Sequence, residues 1–329
     1  MTVLAACLQR YFTDYAHTQR DLSPNTISAY RDSWRLLIKH IVDTRAVPPE
    51  AIEIDMITVE QVTAFLDHLQ TQRGNSVKTR NARLTAIRAV LSHALPDHPE
   101  HADTITRVLA IPARRCPAPP VEFLTPAETD ALLAAPDQDT WTGRRDRALL
   151  TLAVQTGLRA SELTGLTVDD LQLTTAAHVT CTGKGRRTRA TPLTPTTLAV
   201  LTPYLAERAT RPGQALFPGP RGQHLSRDAL ERRLARHLAT ATTRCPSLTG
   251  KHVTMHTLRH TAAMNLLTAG VDVAVIALWL GHQTTASTDP YLHADMTIKQ
   301  TAIDRTRPPK VQPGTYAPAA SILTWLDAL

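Results

Sequence analysis

Along the first hundred positions apolar residues recur at intervals of three and four, the spacing that gives a helix one buried stripe. Leu4, Leu8, Tyr11, Phe12 and Tyr15 define one amphipathic helix; Ile27, Tyr30, Trp34, Leu37, Ile38 and Ile41 define a second over Thr26–Ile41. That second helix follows Ser23-Pro24-Asn25. A serine there can cap the helix, and a proline in the first turn loses no hydrogen bond. Thr58 caps a third helix, Thr58–Gln70, with Gln61 three residues on and Val62, Phe65, Leu66 and Leu69 facing inward. After Gly74-Asn75 a fourth, Ser76–Ala94, carries Lys78, Arg80, Arg83 and Arg88. The pattern predicts a four-helix unit whose last helix is basic.

Pro112, Pro117, Pro119, Pro120 and Pro126, with Arg114 and Arg115 among them, rule out helix and inner strand and mark an extended joint. We therefore divide the chain into a helical domain at 1–112, a linker at 113–120 and a second domain at 121–329. The second opens with Thr125-Pro126-Ala127-Glu128, a capped helix start reaching about Ala135, and continues with a helix over Arg144–Gln155 that Gly157 ends. The period then falls to two. His178–Thr182 reads as a strand, Gly183-Lys184-Gly185 as a tight turn and Arg187–Pro192 as the returning strand, which puts Lys184 at or beside a hairpin tip. Helices follow over Thr194–Glu207 and Ser226–Thr240, the latter bearing Arg227, Arg232, Arg233 and Arg236. Gly270 ends the helix containing His256, and Gly281 ends the apolar segment Val271–Leu280. Beyond Leu292 come an amphipathic piece, Met296–Asp304, a proline-rich joint and an apolar stripe of Ile322, Leu323, Trp325, Leu326 and Leu329. The stripe can pack in cis or dock on a neighbouring protomer. The fold class is mainly α with a small antiparallel β-sheet.

A net charge of +7 and a pI near 9.5 point to a polyanionic partner. Aromatics make up 4% of residues, too few for base stacking to dominate, so duplex DNA fits better than a single strand. Cys7, Cys116, Cys181 and Cys245 are scattered, which suits neither a zinc site nor a disulfide framework and predicts a reduced, cytoplasmic protein. Val271–Leu280 is about half the ~20 residues of a membrane span.

The chemistry concentrates late in the chain. In a helix His256 and Arg259, three apart, share a face, setting a proton-handling ring beside a planar fork of donors that fits a phosphate. His282 follows Leu280-Gly281, and Tyr291 comes nine residues later. Gly157-Leu158-Arg159-Ala160-Ser161-Glu162-Leu163 supplies a second arginine. His252, His256 and His260 step by four and could face one metal ion, but Arg259 stands among them and no acidic or thiol ligand is adjacent. Two arginines, two histidines and a tyrosine without a carboxylate cluster imply phosphoryl transfer that needs no metal.

The order of these motifs, and the step from His282 to Tyr291, resemble the tyrosine recombinase (phage-integrase type) family. The resemblance is specific over Gly157–Leu163, His256–His260 and Leu280–Tyr291, and extends to Leu22–Tyr30 and Ser76–Ala94, which look like the family's DNA-clamping N-terminal domain. It implies a catalytic set of Arg159, Lys184, His256, Arg259, His282 and Tyr291. Tyr291 would be the nucleophile, Lys184 the acid for the leaving 5′ oxygen, the arginines the phosphate clamp, and Glu162 the group orienting Arg159. It also implies a 3′-phosphotyrosyl intermediate with no metal or nucleotide cofactor, and a homotetramer on paired double-stranded recombination sites, joined by exchange of C-terminal tails. Tyr291–Met296 looks like family branches of mobile elements, which points to integration, excision or transposition. Asp289-Pro290 departs from the family pattern and keeps Tyr291 from lying deep in a helix. A type IB topoisomerase would use the same nucleophile but act without paired sites. A non-catalytic DNA-binding protein of this fold would have lost part of the set.

Overall fold

Ser23, Thr58, Ser76, Thr125, Thr140, Thr194, Ser226 and Thr254 each accept a hydrogen bond from a backbone N–H in the first turn of the helix that follows. Those N–H groups have no partner inside a helix, so the caps set where the elements begin. The computed structural model describes residues 2–116, 121–183 and 187–281. Its contacts separate the chain into two units, Met1–Ala118 and Pro119–Leu329.

In the first unit α1 (Val3–Arg10), α2 (Pro24–Arg45), α3 (Val59–Thr71), α4 (Val77–Ala94) and α5 (Ala102–Leu109) enclose one core. Trp34, Leu37 and Ile41 meet Phe65, Leu66, Leu84 and Ile87 there, and Trp34 Nε1 donates to Ala86 O at 3.2 Å. The unit holds a fifth helix where the periodicity predicts four. α5 follows Pro96 and Pro99 and buries only Ile105 and Val108, too short a stripe to read as a period. The first amphipathic stretch also changes register: beyond Arg10 it widens into a π-helix over Tyr11–Gln19, with Arg20 N–H donating five residues back to Tyr15 O. In these wider turns Tyr11 and Tyr15 both meet the ring of His93.

The basic residues of α4 are not a free row. Arg80 is buried, Arg83 donates to Ala29 O and Ser33 Oγ, and Arg88 donates to Ile111 O. Arg114, in the proline-rich joint, pairs with Asp67 at 2.7 Å and donates to Gln70. Of the α4 cations Lys78 alone is exposed. A charge pattern cannot separate a guanidinium bonded to its own carbonyls from one left for phosphate.

The second unit contains α6 (Pro126–Leu133), α7 (Trp141–Thr156), α8 (Ala160–Gly165), α9 (Pro195–Arg208), α10 (Arg227–Arg244), α11 (Met255–Thr268) and α12 (Val273–Leu280). Between α8 and α9 lies an antiparallel sheet ordered β1 (Leu171–Gln172), β2 (His178–Thr182), β3 (Thr188–Pro192). Strand β2 pairs Cys181 with Arg189 and Thr182 with Thr188. α7 runs through the core against α9 and α11, and a smaller cluster of Met264, Leu267, Ile276 and Leu280 joins α11 to α12.

Near the start of α7 a buried carboxylate holds three elements. Asp146 Oδ1 accepts from Arg145 Nε and Nη2, while Oδ2 faces His237 Nε2 at 2.8 Å and Arg233 Nη1 at 3.3 Å. Arg145 Nη1 continues to Pro218 O. Burial acts to raise the Asp146 pKa, but the bonds from His237 and Arg145 outweigh it and hold the carboxyl below its usual range. Removing one partner of a buried charge cluster strands the others. We expect Asp146→Ala to destabilise the second unit by about 3–5 kcal/mol, read from urea unfolding.

Candidate active site

α12 ends at Gly281, which adopts φ of 64°. The last carbonyls of a helix lack internal partners and carry the negative end of its dipole. Here three arginines from three elements take three consecutive carbonyls. Arg189 Nε donates to Trp279 O at 3.1 Å, Arg259 Nη2 to Leu280 O at 2.6 Å and Arg159 Nη2 to Gly281 O at 3.3 Å. Trp279 Nε1 adds a bond to Thr156 O, tying α12 to the end of α7.

Arg259 lies in the second turn of α11, a helix that Thr254 caps. Its side chain is buried, and Nη1 reaches Gly157 O at 2.7 Å. Gly157 is the left-handed C-cap of α7. His256, in the first turn of α11, is exposed, and its ring meets that of His260 edge-on at 4.2 Å. His252 precedes the helix, so the three histidines spaced by four do not form one helical face.

Arg159 stands at the N-cap of α8, and Glu162 in its first turn ties the cluster together. Glu162 Oε2 accepts from the Arg159 backbone N–H at 2.8 Å and Oε1 from Arg159 Nη1 at 2.9 Å. The same two oxygens accept from Arg189 Nη2 at 2.8 Å and Nη1 at 3.0 Å. Burial acts to raise the Glu162 pKa, yet the Arg189 bonds, the Arg159 N–H and the two positive charges pull it down to about 2. Arg189 is held above the usual arginine range by its bonds to Glu162, against the effect of its own burial.

Two glycines bring the remaining segments up to this cluster. A Cβ on Gly183, the last described residue before Lys184, would lie 2.7 Å from Glu162 Oε1. A Cβ on Gly281, just before His282, would lie 2.8 Å from Arg189 Nη1, and its positive φ already disfavours a side chain. Of the six predicted catalytic residues, Arg159, Arg259 and His256 are described, and the two arginines converge on the end of α12. Lys184, His282 and Tyr291 lie outside the described residues, as do Asp289-Pro290 and the tail from Leu292.

Arg189, on the strand that returns from the Lys184 turn, is directed inward. Its pairing with buried Cys181 and its place two residues before buried Thr191 put it on the inner face of β3. That alternation was the available signal.

The structure is a helical unit followed by a mainly α unit with a three-stranded antiparallel sheet and an arginine cluster at the end of α12. Its family follows from comparison. Residues 122–297 match the phage integrase family and residues 8–97 match its N-terminal SAM-like domain. The integrase/recombinase y4rC of Sinorhizobium fredii is 46% identical over 326 residues, 99% of this chain and 98% of its own. Tyrosine recombinase XerD of Pseudomonas aeruginosa is 32% identical over 300 residues, covering 89% of this chain and 94% of that one. The transposon Tn1549 integrase, solved with transposon right-end DNA, shares the fold with a TM-score of 0.70 at 19% identity, over 91% of this chain and 98% of that chain. The chain belongs to the phage integrase family of tyrosine recombinases, enzymes that transfer DNA strands in site-specific recombination. No described helix is long and apolar enough to cross a membrane.

The Glu162 linkage gives a pH expectation. Its folded pKa of about 2 lies below the usual glutamate value of about 4.3, so its contribution is complete above that value and is lost as pH falls toward 2. Acid unfolding of the wild type should steepen across that window, and Glu162→Gln should flatten it, as followed by circular dichroism.

Proposed function

We propose that the chain cuts and rejoins duplex DNA through a covalent link between Tyr291 and a 3′ phosphate, with Arg159, Lys184, His256, Arg259 and His282 as the other catalytic groups. The observation that carries this reading is the convergence of Arg159 and Arg259 on consecutive carbonyls of α12, next to the residues that precede Lys184 and His282. Arg159 keeps about a third of its side chain exposed, so it can offer N–H groups to a non-bridging oxygen while the rest of its fork is bound. Arg259, buried and fixed at both amino groups, supplies charge from below. In the step itself the Tyr291 oxygen forms a bond to phosphorus, the bond to the 5′ oxygen breaks, and Lys184 gives that oxygen a proton. The phenol, with an intrinsic pKa of about 10, gives up its own proton, and His256 and His282 are placed by sequence to handle it. The ester keeps the energy of the broken bond, so a 5′ hydroxyl can attack in reverse and reseal a strand without nucleotide or metal.

By the same reading residues 1–112 clamp the duplex, 113–120 form the linker and 121–329 the catalytic domain. Four copies act on two paired sites and exchange C-terminal tails. The related XerH recombinase was solved on its difH substrate and lambda integrase as a tetramer on a Holliday junction, which supports a DNA-bound assembly of this kind. The work of such an enzyme is integration, excision or transposition of DNA.

Covalent capture tests the reading. Wild type and Tyr291→Phe are mixed with nicked duplexes drawn from DNA flanking the gene, without divalent metal, and then denatured. We expect an adduct with wild type alone, mapping to Tyr291 on a 3′ phosphate. An adduct that persists in Tyr291→Phe would assign the nucleophile elsewhere. Relaxation of supercoiled DNA that needs no paired sites would favour a topoisomerase-like enzyme.

A further inference from the structure

Glu162 presents a problem for any use of Arg159 on phosphate. Its carboxylate lies 2.9 Å from Arg159 Nη1 and, alone, would cancel the charge that the reaction needs. Arg189 changes that balance. It binds both Glu162 oxygens as a fork, so two guanidiniums (Arg159 and Arg189) share one carboxylate, and Arg259 adds a third cation on the neighbouring Leu280 carbonyl. With Arg189 present the cluster keeps two positive charges; with Arg189 neutral it would keep one. Phosphoryl transfer concentrates negative charge on the non-bridging oxygens, so the second charge matters most as bonds change.

Arg189 is also placed to hold geometry. It lies on β3, the return strand of the Lys184 hairpin, and Nε grips Trp279 O two residues before Gly281. The side chain is 13% exposed and its Nε, Nη1 and Nη2 are all engaged, so it holds the cluster from inside.

We propose that Arg189 is a positioning residue for strand cleavage: by neutralising Glu162 it leaves the charge of Arg159 for the scissile phosphate, and by holding Trp279 O it fixes the segment leading to His282. This rests on the roles given above to Arg159 and Tyr291. Arg189 itself does not touch the DNA.

The test uses the full chain in the covalent-capture reaction, with single-turnover rates for wild type, Arg189→Gln, Arg189→Lys and the double variant Arg189→Gln/Glu162→Gln. Arg189→Gln should slow adduct formation about 100-fold, the scale of losing one charge-stabilising group, while DNA affinity by gel shift changes less than about threefold. Arg189→Lys, which keeps the charge but loses the fork, should stand between the two. The double variant should run about tenfold faster than Arg189→Gln, because removing the carboxylate returns the lost net charge. On duplexes with a methylphosphonate at the scissile position, which carries one negative charge fewer, the gap between wild type and Arg189→Gln should shrink to about tenfold or less. A purely structural residue predicts the opposite pattern: a double variant slower than either single and a gap unchanged on methylphosphonate. Either result overturns the proposal. If Arg189→Gln fails to fold by circular dichroism, the same comparison is made with Arg189→Met, which also removes the charge while keeping side-chain bulk, and whose gap must narrow on methylphosphonate. A wild type that forms no Tyr291 adduct removes the underlying reading and this proposal with it, whereas a normal wild-type adduct with an indifferent Arg189 removes the proposal alone.

Discussion

Every described part of the candidate site depends on how one short helix ends. α12 is eight residues long and leaves carbonyls that its own turns cannot satisfy. Three guanidiniums answer them, from β3, α8 and α11. Each bond joins a cation to the negative end of a helix dipole, so the arginines are attracted to one place despite repelling one another. An uncapped helix end would cost the fold an orphaned buried carbonyl, and a cluster of arginines with nothing between them would repel. Combined, the two liabilities cancel.

The glycines make this close packing possible. Gly281 turns the chain away in a left-handed conformation while its Cα faces the Arg189 guanidinium, and Gly183 lets the hairpin lie against Glu162. A side chain at either point would come within 3 Å of Glu162 or of Arg189, so backbone or cluster would have to shift. Chemistry that needs bond-forming atoms in near-attack geometry is sensitive to displacements of about 1 Å. The tolerances of the site are therefore set by backbone as much as by catalytic side chains.

Much of this was legible in the sequence, and what was not has identifiable reasons. The stripes of α2 and α3, the caps at Ser23, Thr58 and Thr125, the two-stranded hairpin and the glycine stops at 157 and 281 all follow from local rules, and the structure has them. The family resemblance, carried by the arginine, histidine and tyrosine motifs, agrees with the family match across 122–297. The short α5 and the π-register after Arg10 escaped because both depend on tertiary packing more than on periodicity. The arginines escaped most. Arg80, Arg83, Arg88 and Arg114 look like phosphate ligands in a string of letters, and the fold binds three of them to internal carbonyls, hydroxyls and carboxylates and buries the fourth. Arg189 does not stand out in the sequence, and the pairing of β3 puts it opposite buried Cys181.

Among the described residues the second unit contains two buried carboxylates outnumbered by cations, and comparing them shows why one is the better candidate site. Asp146 faces Arg145, Arg233 and His237 near the start of α7; Glu162 faces Arg159 and Arg189 beyond its end. Both carboxylates are held ionised by their partners against the cost of burial. Around Asp146 the arginine side chains are 3% and 18% exposed, and the cluster joins α7, α10 and the Pro218 loop. Around Glu162 one arginine is buried at 13% and the other stays 34% exposed at the mouth of the cluster. That difference decides the use of the charge. In the proposed reading the Asp146 cluster holds elements together, whereas the excess positive charge beside Glu162 reaches solvent through the more exposed Arg159 and is available to an incoming phosphate. On the proposed function, the site works by leaving the charge balance of a structural ion cluster incomplete on the side where Arg159 is exposed.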